Sequence, residues 1–229
     1  MSEEKKNTKA QDMSKTKLGN SWTLFENYQS QTQKTFHNYS DTHNKLYELS
    51  TLGQFALLYN DTPYLTPSEL FYDDINNNIR KFKLKDADSE EKVIDGIQWF
   101  KKGILPMWED PANQNGCSFV CTFKGINPSE IDNLWRDVIT DLVCEKFPFM
   151  DYITGVTITD RLKKHSSVKI EIWISVSQAT AKLDSDEPVK YEFIIQKITG
   201  HFIKLLNKTT PVSEFDVTKN EHKIRLKVN

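Results

Sequence analysis

The chain has 229 residues, with 30 basic against 32 acidic side chains, 38% hydrophobic and 11% aromatic residues. That supplies one sizeable core, and the near-neutral charge excludes a polybasic nucleic-acid arm or an acidic tail as the organising feature. The first twenty residues hold no apolar run, and no later stretch approaches the roughly 18 apolar residues that cross a bilayer, so neither secretion nor membrane insertion is expected. Three cysteines make no disulfide framework and suit a reducing compartment, the cytoplasm or the nucleus.

The eight glycines are never closer than seven residues apart, which removes the G-x-G-x-x-G turn, the Walker A loop and the G-x-S-x-G elbow. No H-E-x-x-H occurs, the five histidines lack ligand spacing, and Cys117 and Cys121 flank a strand-like Ser118-Phe119-Val120. No metal and no cofactor are expected.

In chain order, residues 1–17 are charged and aperiodic and read as a disordered arm, leaving 18–229 as a single domain. The packed part begins at Ser21-Trp22-Thr23-Leu24-Phe25. Residues 29–44 are rich in Gln, Thr, His and Asn and read as an irregular link, with Phe36 as its apolar member before Tyr39. Residues 51–59 predict a helix capped by Ser50 or Thr51. The stretch 61–93, with two prolines and the run Asn76-Asn77-Asn78, reads as a partly mobile insertion around 79–84. Asn127-Pro128-Ser129-Glu130 combines an N-cap, a proline at N1 and an acid at N3 ahead of Ile131, Leu134, Val138 and Leu142, predicting a helix to about Glu145. A further helix follows Pro188 and ends near Asn207. Val168, Ile170, Ile172, Ile174 and Val176 alternate with Lys169, Glu171, Trp173 and serines, a half-buried strand that pairs as a hairpin with residues 152–159. Residues 119–123, 214–217 and 224–228 are shorter strand candidates. Hairpin-length links and no β-α-β rhythm point to an α+β fold, an antiparallel sheet with helices on one face.

The most distinctive local sequence is Phe100-Lys101-Lys102-Gly103-Ile104-Leu105-Pro106-Met107-Trp108-Glu109-Asp110-Pro111. It admits two readings. In one, the Trp folds back on the core and the acids are solvated. In the other, an indole offers a stacking face and the neighbouring carboxylate accepts from the donor edge of a base such as guanine.

This run, with Trp99 before it, closely resembles the cap-recognition loop of the translation initiation factor 4E family, which binds the 7-methylguanosine 5′ cap of eukaryotic mRNA. Ser21 to Phe25, Phe55 to Asn60, Leu134-Trp135, Gly155 to Arg161 and Lys169 to Trp173 resemble other blocks of that family in the same order. The resemblance spans about residues 18–228 and implies a curved antiparallel sheet of about eight strands backed on its convex face by three helices, while the long insertion and the departures at Ala56, Arg136 and Thr140 suggest a divergent member from a protist. It implies a base sandwich between Trp108 and Phe36, where the family carries Trp, and a guanine-edge acceptor at Glu109. Arg161 and Lys169, with Lys163 and Lys164 nearby, are implied as the phosphate clamp, and Trp22, Trp135 and Trp173 as core residues.

The family's scaffold proteins of the 4G type dock a helix on the convex dorsal side. Leu52 keeps a place there, but Ala56, Arg136 and Thr140 replace apolar anchors, so an altered mode or a different 4E-interacting protein is expected. The implied role is a monomeric, non-enzymatic factor in translation initiation. The alternatives are a cap-binding repressor or storage factor and, since no E-x-x-E-E cluster is present, less readily a cap-processing hydrolase.

Overall fold

The computed structural model of the chain describes residues 14–30, 43–72, 83–85, 91–114, 116–175, 191–209, 214–219 and 223–224. Nine strands pair in one antiparallel sheet: β1 (Lys17–Ser30), β2 (His43–Thr51), β3 (Lys83–Lys85), β4 (Glu91–Lys101), β5 (Cys117–Lys124), β6 (Ile153–Arg161), β7 (Ser167–Ile174), β8 (Glu214–Lys219) and β9 (Lys223–Ile224). Eight follow the order β2-β1-β4-β6-β7-β5-β8-β9, and β3 adds to the far end of β4. Register shifts in β1 and β6 mark bulges, the usual device for curving a sheet. The helices are α1 (Leu52–Asp61), α2 (Pro67–Phe71), α3 (Pro128–Val143), α4 (Leu162–His165) and α5 (Tyr191–Thr209).

Local chemistry sets the long helices where the residue pattern puts them. Thr51 caps α1: its hydroxyl accepts from the Gln54 amide at 3.3 Å, and Gln54 Oε1 accepts from the Thr51 amide at 3.1 Å. In α3, Pro128 occupies the first turn and Glu130 reaches back to the Asn127 amide. Ile131, Leu134, Trp135, Val138 and Leu142 of α3 and Ile194, Ile198 and Phe202 of α5 are buried with Trp22, Leu24, Ile97, Trp99, Ile158, Ile170 and Ile172 of the sheet. Trp22 and Trp135 are therefore core residues, and Trp135 Nε1 donates to the Tyr64 carbonyl at 2.9 Å.

The described part of the stretch read as an insertion is packed. Pro63 and Pro67 each open a short helical turn, and Leu65, Leu70 and Phe71 enter the core. The Asp132 carboxylate accepts from the Ser68 amide and hydroxyl at 2.8 and 2.5 Å, tying α2 to α3. The polar link is shorter than the composition suggests, since β1 runs to Ser30 and β2 begins at His43. The connection after β6 is the single turn α4, closed by Ser166 in the left-handed region at φ 48°.

Candidate functional site

Strand alternation sends one set of side chains to the helices and the other to the opposite face of the sheet. On β4, Ile97 and Trp99 join the main core, while Phe100 joins a second, separate apolar cluster with Phe25 of β1 and Trp173 of β7. The register explains why these rings meet: Thr23, Phe100, Gly155, Trp173 and Ser118 form one row across β1, β4, β6, β7 and β5. The Phe100 ring occupies the space above Gly155, where a Cβ would come within 2.5 Å of it. Phe100 meets Trp173 edge-on at 5.5 Å.

The loop after β4 closes over this row. Trp108 is half-buried and lies on the face of Trp173, with centroids 4.0 Å apart and ring planes 29° from parallel. Asp110 and Asn113 hold the loop in shape. The Asp110 carboxylate accepts from the Leu105 amide at 2.8 Å and the Ala112 amide at 2.9 Å, while buried Asn113 Nδ2 donates to the carbonyls of Leu105 and Met107, both at 2.9 Å. Gly103, at φ +88°, supplies the left-handed turn that starts the loop. Glu109 is exposed at the rim, and its carboxylate makes no hydrogen bond or ion pair among the described residues.

A polar track leads away from the indoles along β7. Glu171, two residues from Trp173, is 9% exposed and has both oxygens occupied: Oε1 accepts from Ser118 Oγ at 2.6 Å and Oε2 from Lys169 Nζ at 2.7 Å. Lys169 follows on the same face, and Arg161 is exposed at the end of β6, opposite Ser167, with no acid paired to it among the described residues. Trp173 and Lys169 are four residues apart on an extended strand, roughly 13 Å. Trp108, Glu109, Arg161 and Lys169 thus belong to the loop, the strands and the face that also carry Trp173 and Glu171. Phe36 lies outside the described residues. Lys163 and Lys164 fall in α4, but their side chains lie outside what is described.

Three members of this surface were not assigned to it from the residue pattern. Trp173 was read as core and is buried, at 5% exposure, but in the second cluster on this face, where the alternation of β7 sets it with Lys169 and Glu171, away from Ile170 and Ile172. Asp110 was read only as one of the loop's solvated acids and is the loop's internal acceptor. Asn113 carried no local signal, because its two acceptors are carbonyls six and eight residues away.

On the helical side, Ala56 and Leu57 of α1 are exposed and Leu52 is partly buried. A groove of about 550 Å³ runs beside them, lined by Ser14, Leu52, Ala56, Leu57 and Asn60 among others. Arg136 and Thr140 of α3 are partly exposed, and Arg136 Nε is buried with no hydrogen-bond partner among the described residues. Among the described residues no group of three or more His, Cys, Asp or Glu could hold a metal, and no helix is long and apolar enough to cross a membrane.

A curved antiparallel sheet carrying its helices on one face and an indole-walled, cation-edged track on the other defines the class. The family model for eukaryotic initiation factor 4E matches residues 17–223, and the chain belongs to that family. Among its relatives, eukaryotic translation initiation factor 4E1 of Drosophila melanogaster is 33% identical over 158 residues, 68% of this chain and 49% of the fly protein. Factor 4E-1 of Phaseolus vulgaris is 26% identical over 188 residues, 77% of this chain and 68% of the bean protein. The chain thus spans about half the length of the fly relative. Among solved structures, a schistosome eIF4E complexed with m7GpppA and 4E-BP matches with a TM-score of 0.62 at 19% identity, over 90% of this chain and 88% of that one. Caenorhabditis elegans eIF4E-3 with the 4E-binding protein Mextli gives 0.61 at 18% identity, over 90% and 94%. At these identities the likeness establishes the shared fold.

Proposed function

We propose that this protein binds the 7-methylguanosine 5′ cap of mRNA and acts in translation initiation, as a binding module rather than an enzyme. The observation that carries this reading is the stacked pair Trp108 and Trp173 on a face that leads to Lys169 and Arg161. Methylation at N7 makes the guanine ring cationic, and stacking on an indole is worth on the order of 1 to 3 kcal/mol per face, with a cation-π increment. A centroid separation of 4.0 Å is one ring contact, whereas an inserted base needs about twice that. The base therefore stacks on the outer face of Trp108, or Trp108 swings off Trp173 to admit it. In this reading Phe36 supplies the second plane and Glu109 accepts from the guanine N1 and N2 donors. Arg161 takes a phosphate bidentately, with Lys169, Lys163 and Lys164 adding point charge.

The relatives crystallised with m7GpppA and with an m7G cap support this reading. Complexes of relatives with 4E-BP and Mextli support a second, protein-docking role. Here that docking takes an altered mode on the helical side, because exposed Ala56 offers little apolar area and Arg136 must be desolvated or displaced by an apolar helix. A partner other than the usual scaffold would leave the protein as a repressor or storage factor, bound to the cap without recruiting that scaffold.

Titration of tryptophan fluorescence with 7-methyl-GTP and with GTP tests the cap reading. Quenching by 7-methyl-GTP at concentrations at least about tenfold lower is expected from the cation-π increment, and Trp108→Ala should lose it while keeping the fold. Equal quenching by both nucleotides would overturn it.

A further inference from the structure

The pair Lys169–Glu171 sits on the phosphate side of the proposed cap site, and the inference drawn from it deepens that reading. Glu171 is a nearly buried acid on the binding face, and the Lys169 ammonium is only slightly more exposed than its partner, at 16% against 12% of side-chain surface. Ser118 fixes the other carboxylate oxygen from the neighbouring strand, so the acid cannot turn away without abandoning a second bond. Burial makes this pair costly to break, because whichever charge is released must be solvated or paired anew. A phosphate reaching Lys169 meets a carboxylate 2.7 Å from the ammonium it seeks. Arg161, by contrast, has no acid paired to it among the described residues.

We propose that Glu171 is a specificity-determining residue: it engages Lys169 and so makes the site nearly indifferent to how many phosphates follow the first. Arg161 carries most of the phosphate contact, and the point charge that Lys169 adds to the clamp is largely neutralised while Glu171 is charged. Removing the acid's charge converts Lys169 into a working clamp and makes affinity climb with phosphate number.

The test uses the full chain and fluorescence titration at constant ionic strength with 7-methylguanosine, 7-methyl-GTP and inorganic tripolyphosphate. Glu171→Gln keeps an acceptor for Ser118 and removes the charge. It should leave nucleoside affinity unchanged and tighten 7-methyl-GTP by about tenfold, the scale of one charge-assisted contact. Adding Lys169→Met in the Glu171→Gln background should cancel the gain. Glu171→Ala, as a second variant, should give the same ordering if the amide disturbs Ser118. Equal 7-methyl-GTP affinity in wild type and both Glu171 variants would overturn the inference. If neither 7-methylguanosine nor 7-methyl-GTP binds any of the proteins, the cap reading fails on its own. Tripolyphosphate then decides the inference: stronger binding by Glu171→Gln than by wild type sustains it, and equal binding sinks it.

Discussion

Asn113 shows how a single buried amide can set the shape of a loop. It is 2% exposed, and its two N–H groups satisfy two loop carbonyls on either side of Pro106, while its Oδ1 has no hydrogen-bond partner among the described residues. Truncation to Ala leaves both carbonyls to find water, and losing buried hydrogen bonds costs about 1 to 3 kcal/mol. The Asn113→Ala variant is expected to lose that much in urea unfolding and to exchange the amide hydrogens of residues 104–114 faster. An unchanged urea midpoint would show that Asp110 alone holds the loop. Asp110 itself illustrates what residue type cannot disclose. An acid after Trp-Glu reads as a solvated charge, and only the placement of the Leu105 and Ala112 amides reveals it as an internal acceptor.

Elements whose stability is written locally were legible in the sequence. A cap at Ser50 or Thr51, the Asn127 cap, Pro128 in the first turn of α3, the 3.6-residue period of α3 and α5, and the two-residue alternation of β7 were all visible before any tertiary contact. β2 and β4 were not. β4 buries Trp99 on one face and Phe100 on the other, so its apolar pattern loses the period of two that marks a half-buried strand. β2 alternates poorly because only Leu49 is buried along it. The same helical elements carry the partner-docking prediction. In the triple variant Ala56→Trp, Arg136→Leu, Thr140→Leu, isothermal titration with a Tyr-x4-Leu-Φ peptide should show a gain over weak or absent wild-type binding, with cap affinity nearly constant because the proposed cap face is across the sheet. Submicromolar binding by the unmodified chain would mean that the helical side already works as it stands.

Across the whole molecule, several buried and half-buried acids share one sign of coupling to pH. Burial first, then the nearby Asp160 and Asp132 charges, push the Tyr72 hydroxyl from its ordinary 10.0 up to about 12. Burial likewise raises Tyr28 and Tyr64, both of which donate to Glu26, and Tyr191, which donates to Cys117 Sγ; it also raises the Cys121 thiol. A raised folded-state value means that the unfolded chain gives up its proton first, so this stability is intact below the unfolded values and is lost as pH rises through the folded ones. With ordinary values of 9.0 for the thiol and 10.0 for the phenols, the urea midpoint should hold to about pH 9 and fall steadily toward pH 12. A flat profile across that range would show that these groups open locally without unfolding the sheet. The five tryptophans are divided just as unevenly, since Trp22, Trp99 and Trp135 lie apart in the main core while Trp108 and Trp173 touch face to face. Two indole transition dipoles at 4.0 Å exchange excitation, so this pair should give the protein a signed couplet in its far-ultraviolet circular dichroism. A base that parts the two rings would erase the couplet, whereas one that stacks outside Trp108 would leave it standing, so a spectrum recorded with and without ligand separates the two routes of entry.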